Sequence, residues 1–188
     1  REYLEGRVRA GLVEQNTKDI LKKLGLDARM KKEGIVHDGV YLSFDEERIH
    51  IPFGELTNGR TITIYGQQEI TKDLTDAWLQ DGGELHFQTK ATKIIDFNTK
   101  SPKIQFEKDG EEGVLECDFV AACDGFHGIG RKTLPKKSFK SYDITYPFSW
   151  LGVLANVAPS TDELIYAYHE NGFALHSLRS ETVSRLYI

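Results

Sequence analysis

Apolar residues recur along this chain with two different periods. Ile20, Leu21 and Leu24 follow a Thr17 start signal and share one helical face, and Gly25 supplies a stop, which predicts a helix over 17–24. The stretch 37–44 alternates between apolar and polar positions, and 48–53 alternates again after an acidic turn, predicting a hairpin. Residues 61–65 read as a further strand. Gly66-Gln67 then turns the chain into a helix over 69–80 that carries Ile70, Leu74, Ala77 and Trp78 and closes at Gly82-Gly83. Three strands are predicted next, at 84–88, 92–97 and 103–108, the last turning at Asp109-Gly110 into 113–119.

The alternation then breaks. Val120-Ala121-Ala122-Cys123 is a short apolar run ending in Asp124-Gly125, the pattern of a buried parallel strand that delivers its C-terminal end to a ligand crevice. A lysine-rich connection over 132–140 leads into four antiparallel-looking strands, at 146–156, 163–169, 173–179 and 182–188. A boundary near Ser141 therefore separates an α/β portion from a β portion, and the fold class read from the pattern is mixed α/β. Internal repeats and low-complexity tracts are absent from the sequence.

Composition narrows the classes. Of 188 residues 39% are hydrophobic and 28% charged, enough apolar surface to offset chain entropy, which excludes a disordered chain. A net charge of -5 argues against nucleic-acid or membrane-surface partners. Cys117 and Cys123 are too few for a zinc ligand set or a disulfide framework, so no metal is expected and a reducing cytoplasm fits. No apolar run approaches the roughly 20 residues of a membrane span. Arg1 opens the chain without an initiator methionine and Ile188 closes it inside a strand pattern, so an internal piece of a longer protein is expected.

Three stretches carry candidate chemistry. Arg7-Val8-Arg9-Ala10-Gly11 leads into Leu12-Val13-Glu14-Gln15, and a helix beginning there would attract an anion, with Gly11 permitting close approach and an arginine fork adding charge-assisted bonds. Taken alone, the pair reads more readily as solvated surface arginines. In Cys123-Asp124-Gly125-Phe126-His127-Gly128 the Asp124 carboxylate can accept from ribose or ribityl hydroxyls, and a plain Asp-Gly turn is the alternative. The third is the hairpin around Asn171-Gly172. If residues 170 and 173 close that turn, Tyr166 faces Ser177 directly and Arg179 shares their face. A phenol, a hydroxyl and a guanidinium on one patch suit a small aromatic acid, whereas the same residues also make the wet face of an ordinary hairpin. The chain contains neither a G-x-S-x-G elbow nor a G-x-G-x-x-G fingerprint.

Together these stretches resemble a known family. The collinear series Arg7 to Gln15, Tyr65-Gly66-Gln67, Cys123 to Gly128, Tyr146 to Gly152, and Glu163 to Tyr166 with Phe173 to Arg179 is similar to the flavin-dependent aromatic hydroxylases of the 4-hydroxybenzoate 3-monooxygenase type. The resemblance implies a partial FAD-binding, Rossmann-like domain over 1–140, lacking its N-terminal glycine-rich unit, followed by the truncated start of an antiparallel β-sheet substrate domain over 141–188. It implies FAD as cofactor and NADPH as co-substrate, with NADH left open.

For FAD it implies Arg7, Val8, Arg9, Ala10, Gly11 and Leu12 near the pyrophosphate, with Gln67 and Arg185 also in the flavin site. Asp124 and Gly125 match positions serving both flavin and nicotinamide nucleotide, and His127 and Arg9 match positions implicated in NADPH binding. Tyr166, Ser177, Leu178, Arg179 and Tyr187 match the substrate pocket, Tyr166 as the residue that relays the proton of the substrate phenol. The implied reaction is hydroxylation of 4-hydroxybenzoate to 3,4-dihydroxybenzoate with NAD(P)H and dioxygen in aromatic-compound degradation, by a cytoplasmic homodimer, the isolated piece being inactive. A related hydroxylase acting on another phenolic acid, or a non-catalytic ligand-binding module, are the alternatives.

Overall fold

The computed structural model describes residues 1–3 and 10–188, so Arg7, Val8 and Arg9 lie outside the described residues. The chain divides into two compact units, Arg1–Gly83 with Pro147–Ile188, and Glu84–Tyr146. This grouping differs from a cut near Ser141. The hairpin over 39–52 hydrogen-bonds into the same sheet as the last four strands, so residues from both sides of the expected boundary build one unit.

In the first unit a three-stranded antiparallel sheet has the order β1 (Leu12–Val13), β5 (Ile62–Ile64), β2 (Ile35–His37). Helix α1 (Gln15–Lys23) ends where Gly25, at φ +71, lets Leu26 N–H reach the Leu21 carbonyl (2.9 Å) and its own N–H reach Lys22 O (3.1 Å). Helix α2 (Ala28–Glu33) was not signalled by the pattern; its buried anchor is Met30. Val13, Leu21, Met30 and Tyr65 form one core, with Leu26 and Ile70 packed against it. Ile20 and Leu24, expected on the same face as Leu21, are exposed.

A six-stranded sheet completes the unit, in the order β4 (Glu47–Pro52), β3 (Gly39–Phe44), β10 (Leu164–His169), β11 (Gly172–Ser180), β12 (Val183–Tyr187), β9 (Gly152–Ala155). Its β3 and β10 are parallel and its other neighbours antiparallel. The β3–β4 hairpin turns on Asp45-Glu46, both at positive φ, the geometry whose twist matches paired strands. Val40, Leu164 and Leu175 of this sheet bury against Ile64 of the small sheet, forming the second core. Burial of each such aliphatic side chain contributes about 1.5–3 kcal/mol. After the short α3 (Phe53–Leu56) and β5, helix α4 (Gln67–Gln80) starts directly behind Gly66, two residues earlier than predicted. Arg29 ties α2 to α4, donating to Asp73 Oδ1 (2.8 Å) and Glu69 Oε2 (2.7 Å), while Tyr65 OH donates to Asp73 Oδ2 (2.9 Å).

The second unit holds an antiparallel sheet in the order β6 (Thr89–Ile95), β7 (Lys103–Lys108), β8 (Glu111–Glu116), the last two joined by Asp109-Gly110 as predicted. Two expected strands do not form. At 84–88 the chain is irregular, because Gln88 takes a left-handed φ of +55 and turns the backbone immediately before β6. At 120–123 the chain is unpaired among the described residues, with Val120 half-buried and 121–123 exposed; a parallel strand exists only where a neighbour accepts its hydrogen bonds, and none of the described strands lies beside it there. Phe119, 92% exposed, marks the same uncovered edge. The chain then passes through the short α5 (Gly130–Thr133). No helix among the described residues is long and apolar enough to cross a membrane.

Candidate functional site

The hairpin β10–β11 is the origin of the site, and its register differs from the one expected. His169 pairs with Gly172 and Tyr166 with Leu175, so the pairing is offset by two residues from Tyr166 opposite Ser177. Gly172, at φ +142, begins the strand instead of completing the turn, and the His169 ring accepts the Asn171 N–H at 3.2 Å. An offset of two preserves the parity of the pleat. Tyr166 and Ser177 therefore still share a face, as diagonal neighbours.

That face continues across the sheet. Tyr166, Leu175 and Tyr187 form one cross-strand row, and Ser177 and Arg185 the next. Their side chains, with Leu178 and Arg179 and with Ala10, Gly11 and Leu12 opposite, line a cavity of about 120 Å³. Ser177 is buried and its Oγ donates to the Arg185 carbonyl at 3.3 Å. The buried Arg185 lays its guanidinium carbon 4.4 Å above the Tyr187 ring. Register between β11 and β12 shifts between Leu178 and Ser180, so Arg179 sits on a bulge, a device that re-aims a side chain out of the regular alternation. Arg179 lines this cavity and also a neighbouring one of about 340 Å³ bounded by Tyr65, Gly66 and Gln68.

Several pocket residues went unsignalled. Leu164 and Leu175 lie on the Tyr166–Ser177 side of the pleat, so parity alone would have found them. Ile64 arrives from the other sheet and leaves no local mark. Trp150 stacks on Phe173 (ring centroids 5.3 Å apart) and lies 5.5 Å from Tyr187, and Phe173 is 6.4 Å from Tyr166, so an aromatic cluster flanks the cavity.

Ala10, Gly11 and Leu12 are held by the start of α4. The Tyr65 N–H donates to Gly11 O and the Gln67 N–H to Ala10 O, both at 2.9 Å. On the far side of Leu12 the exposed Gln67 lines a cavity of about 400 Å³ with Val13, Glu14, Thr17, Ile70 and Thr71. Leu12 thus lines two cavities, one shared with the Tyr166–Arg179 patch and one shared with Gln67.

Asp124, Gly125 and His127 belong to the second unit and are exposed. The Asp124 carboxylate accepts the Gly130 N–H at 2.8 Å, which with further backbone donors holds its pKa below the ordinary carboxylate value. Asp124 here caps the turn leading into α5. A Cβ on Gly128 would overlap that carboxylate, so Gly128 makes room for Asp124 itself. The Asp-Gly turn uses the positive φ of Gly125, +72, and His127 packs edge-on against Phe126 at 5.0 Å. A cavity of about 530 Å³ in this unit is lined by Ile94, Phe97, Pro102, Phe119, Val120 and Leu134, among others.

Residues 2–188 match the family described as FAD binding domain. The chain belongs to that family. Among curated relatives, the p-hydroxybenzoate hydroxylase of Acinetobacter baylyi is 43% identical over 187 residues, a match covering 100% of this chain and 46% of that protein, so the chain spans about half of that relative's length. Solved structures share the fold of this FAD binding domain. The p-nitrophenol 4-monooxygenase PnpA from Pseudomonas putida DLL-E4 aligns with a TM-score of 0.78 at 14% identity, covering 97% of this chain and 48% of that one. The flavin-dependent halogenase CmlS aligns with a TM-score of 0.75 at 18% identity, covering 97% and 34%. Membership bears out FAD as the cofactor and the mixed α/β class read from the pattern.

Proposed function

We propose that the protein carrying this chain is an FAD-dependent monooxygenase that hydroxylates 4-hydroxybenzoate to 3,4-dihydroxybenzoate, using NAD(P)H and dioxygen. The observation that carries this reading is the cavity in which Tyr166, Ser177, Arg179 and Tyr187 converge, in a chain 43% identical to a p-hydroxybenzoate hydroxylase. An aromatic acid suits that set. The guanidinium of Arg179 offers a carboxylate a two-pronged charge-assisted bond, the Tyr187 hydroxyl adds a neutral donor, the Ser177 hydroxyl adds a second by rotating away from the Arg185 carbonyl, and Leu164 and Leu175 supply apolar walls for a ring.

The residues present also suit a flavin. Leu12, Val13, Glu14, Gln67 and Ile70 line a cavity that offers a polar edge and an apolar wall, and Leu12 lines the substrate pocket as well. Ala10, Gly11, Leu12 and Gln67 would hold the cofactor there, with Arg185 at the pocket's edge; Arg7, Val8 and Arg9 extend the same segment. When bound, FAD supplies hydride acceptance from the nicotinamide and activation of dioxygen. Asp124, Gly125 and His127 would serve the nucleotide portions of flavin and NAD(P)H.

The chain's own contribution is binding, orientation and proton handling. Arg179, Ser177 and Tyr187 fix the carboxylate end and so direct the opposite end of the ring, and alignment of reacting atoms contributes much of an enzyme's rate. Tyr166 relays the proton of the substrate phenol, accepting it on its hydroxyl oxygen as it passes its own hydroxyl proton on toward solvent, which raises electron density at the ring carbon beside the phenol oxygen and makes that carbon a better nucleophile toward the transferred oxygen. The reading extends to a homodimeric, cytoplasmic enzyme without nucleic-acid or membrane partners.

The test uses the full-length protein reconstituted with FAD. The expected result is a flavin spectrum, and NADPH and oxygen consumption stimulated by 4-hydroxybenzoate with release of 3,4-dihydroxybenzoate. Absence of flavin binding, or NADPH oxidation indifferent to 4-hydroxybenzoate, would overturn the proposal.

A further inference from the structure

Gly11 and Arg179 meet across the pocket. A Cβ built on Gly11 would fall within the volume of the Arg179 guanidinium, coinciding with Nη1 and Cζ and standing 2.7 Å from Nη2; those three atoms are its nearest neighbours. The guanidinium therefore occupies the space that any side chain at position 11 would fill.

The backbone at Gly11 is tied in place by hydrogen bonds. Its carbonyl accepts the Tyr65 N–H, the carbonyl of Ala10 accepts the Gln67 N–H, and Leu12 and Val13 pair with Ile64 and Thr63. The other partner is the end of a long side chain launched from the bulge between Leu178 and Ser180, where rotation about its own torsions can shift the guanidinium without moving the backbone. A methyl group at position 11 would thus leave the fold in place and displace the guanidinium.

We propose that Gly11 is a positioning residue for Arg179: its bare backbone is the seat that sets where the guanidinium meets the substrate carboxylate, and hence the preference for an acid. This inference rests on the reading of the pocket as a site for 4-hydroxybenzoate. It gives Gly11 a role toward the substrate, apart from the contact with flavin that the family resemblance implies. The bulge launches the side chain and Gly11 leaves the room that its end occupies, so two elements that sequence separates widely both bear on the position of the charge. Removing the seat should cost the charge-assisted bond while sparing the apolar grip on the ring.

The experiment measures ligand affinity by flavin-fluorescence titration of the full-length, FAD-loaded protein, with 4-hydroxybenzoate and its uncharged analogue 4-hydroxybenzamide as probes. Gly11→Ala should weaken 4-hydroxybenzoate binding by about tenfold or more, the size of a charged hydrogen bond, and change 4-hydroxybenzamide binding little. In an Arg179→Ala background the same Gly11→Ala change should cost almost nothing further, because the group it displaces is gone. Equal losses for both ligands, an unchanged 4-hydroxybenzoate affinity, or a loss that persists undiminished in the Arg179→Ala background would overturn the proposal. A wild-type protein that binds neither ligand would overturn the functional reading itself, and that outcome is distinguished by the unmutated protein alone.

Discussion

Asp73 is the residue on which the seating of α4 turns, and its removal should be measurable as lost stability. One of its oxygens accepts from Arg29 Nε at 2.8 Å and the other from Tyr65 OH at 2.9 Å. Burial and the Asp73 acceptor both push the Tyr65 phenol above its ordinary pKa, so Tyr65 stays a hydrogen-bond donor throughout the neutral range. Arg29 is kept charged: burial alone would lower its pKa, and the bonds to Asp73 and Glu69 outweigh it.

Hydrogen bonds to charged groups contribute about 1.5–3 kcal/mol each when well buried. The Asp73 side chain is 20% exposed and that of Arg29 34%, so the two bonds together are discounted to about 2–3 kcal/mol. Asp73→Ala should therefore lower Tm by roughly 4–12 °C, at about 2–4 °C per kcal/mol for a chain of this size. Tyr65→Phe, which deletes one of the two bonds, should cost about half as much. The double variant should be no worse than Asp73→Ala, because the Tyr65 bond is lost in both. Thermal melts followed by circular dichroism decide it. A Tm for Asp73→Ala within a degree or so of wild type, or strictly additive losses, would show that solvent already screens the network.

Three further outcomes follow from the site and the core. Arg179→Lys should weaken 4-hydroxybenzoate binding by about 1.5–3 kcal/mol, since a point-charge ammonium cannot reproduce a two-pronged carboxylate bond; an unchanged dissociation constant in fluorescence titration removes Arg179 from the pocket. Tyr166→Phe keeps the ring packing against Phe173 but not the hydroxyl, so substrate should still bind while the ratio of dihydroxybenzoate formed to NADPH consumed collapses and hydrogen peroxide appears; a wild-type ratio argues against phenol activation by Tyr166. His37 is 1% exposed and neither ring nitrogen has a hydrogen-bond partner among the described residues; burial lowers its pKa, with Glu163 and Asp162 opposing. The unfolded chain then binds a proton that the folded chain refuses, so this contribution is complete above pH 6.5 and is lost below it, by up to about 1.4 kcal/mol per pH unit. Melting temperatures of wild type and His37→Leu between pH 7.5 and 5.5 test this, and parallel pH slopes would refute it.

Local chemistry determined much of the fold by itself. Asp45-Glu46 and Asp109-Gly110 turn within two residues and carry their hairpins with them, Gly25 ends α1 through bonds to its own last turn, and alternation along 164–179 assigned Tyr166 and Ser177 to one face. That assignment survived a register offset because the pleat repeats every two residues. The family motifs were equally legible, each being a short run of neighbours. What only the tertiary structure decided depends on distant partners. Residues 120–123 have the composition of a parallel strand but no neighbour to bond among the described residues, and the hairpin over 39–52 joins a sheet whose other strands come from the chain's end. The direction of Arg179 arises from a bulge against β12 and from the empty space above Gly11. Strand pairing, bulges and side-chain seats are properties of two segments at once, and no single stretch of sequence carries both.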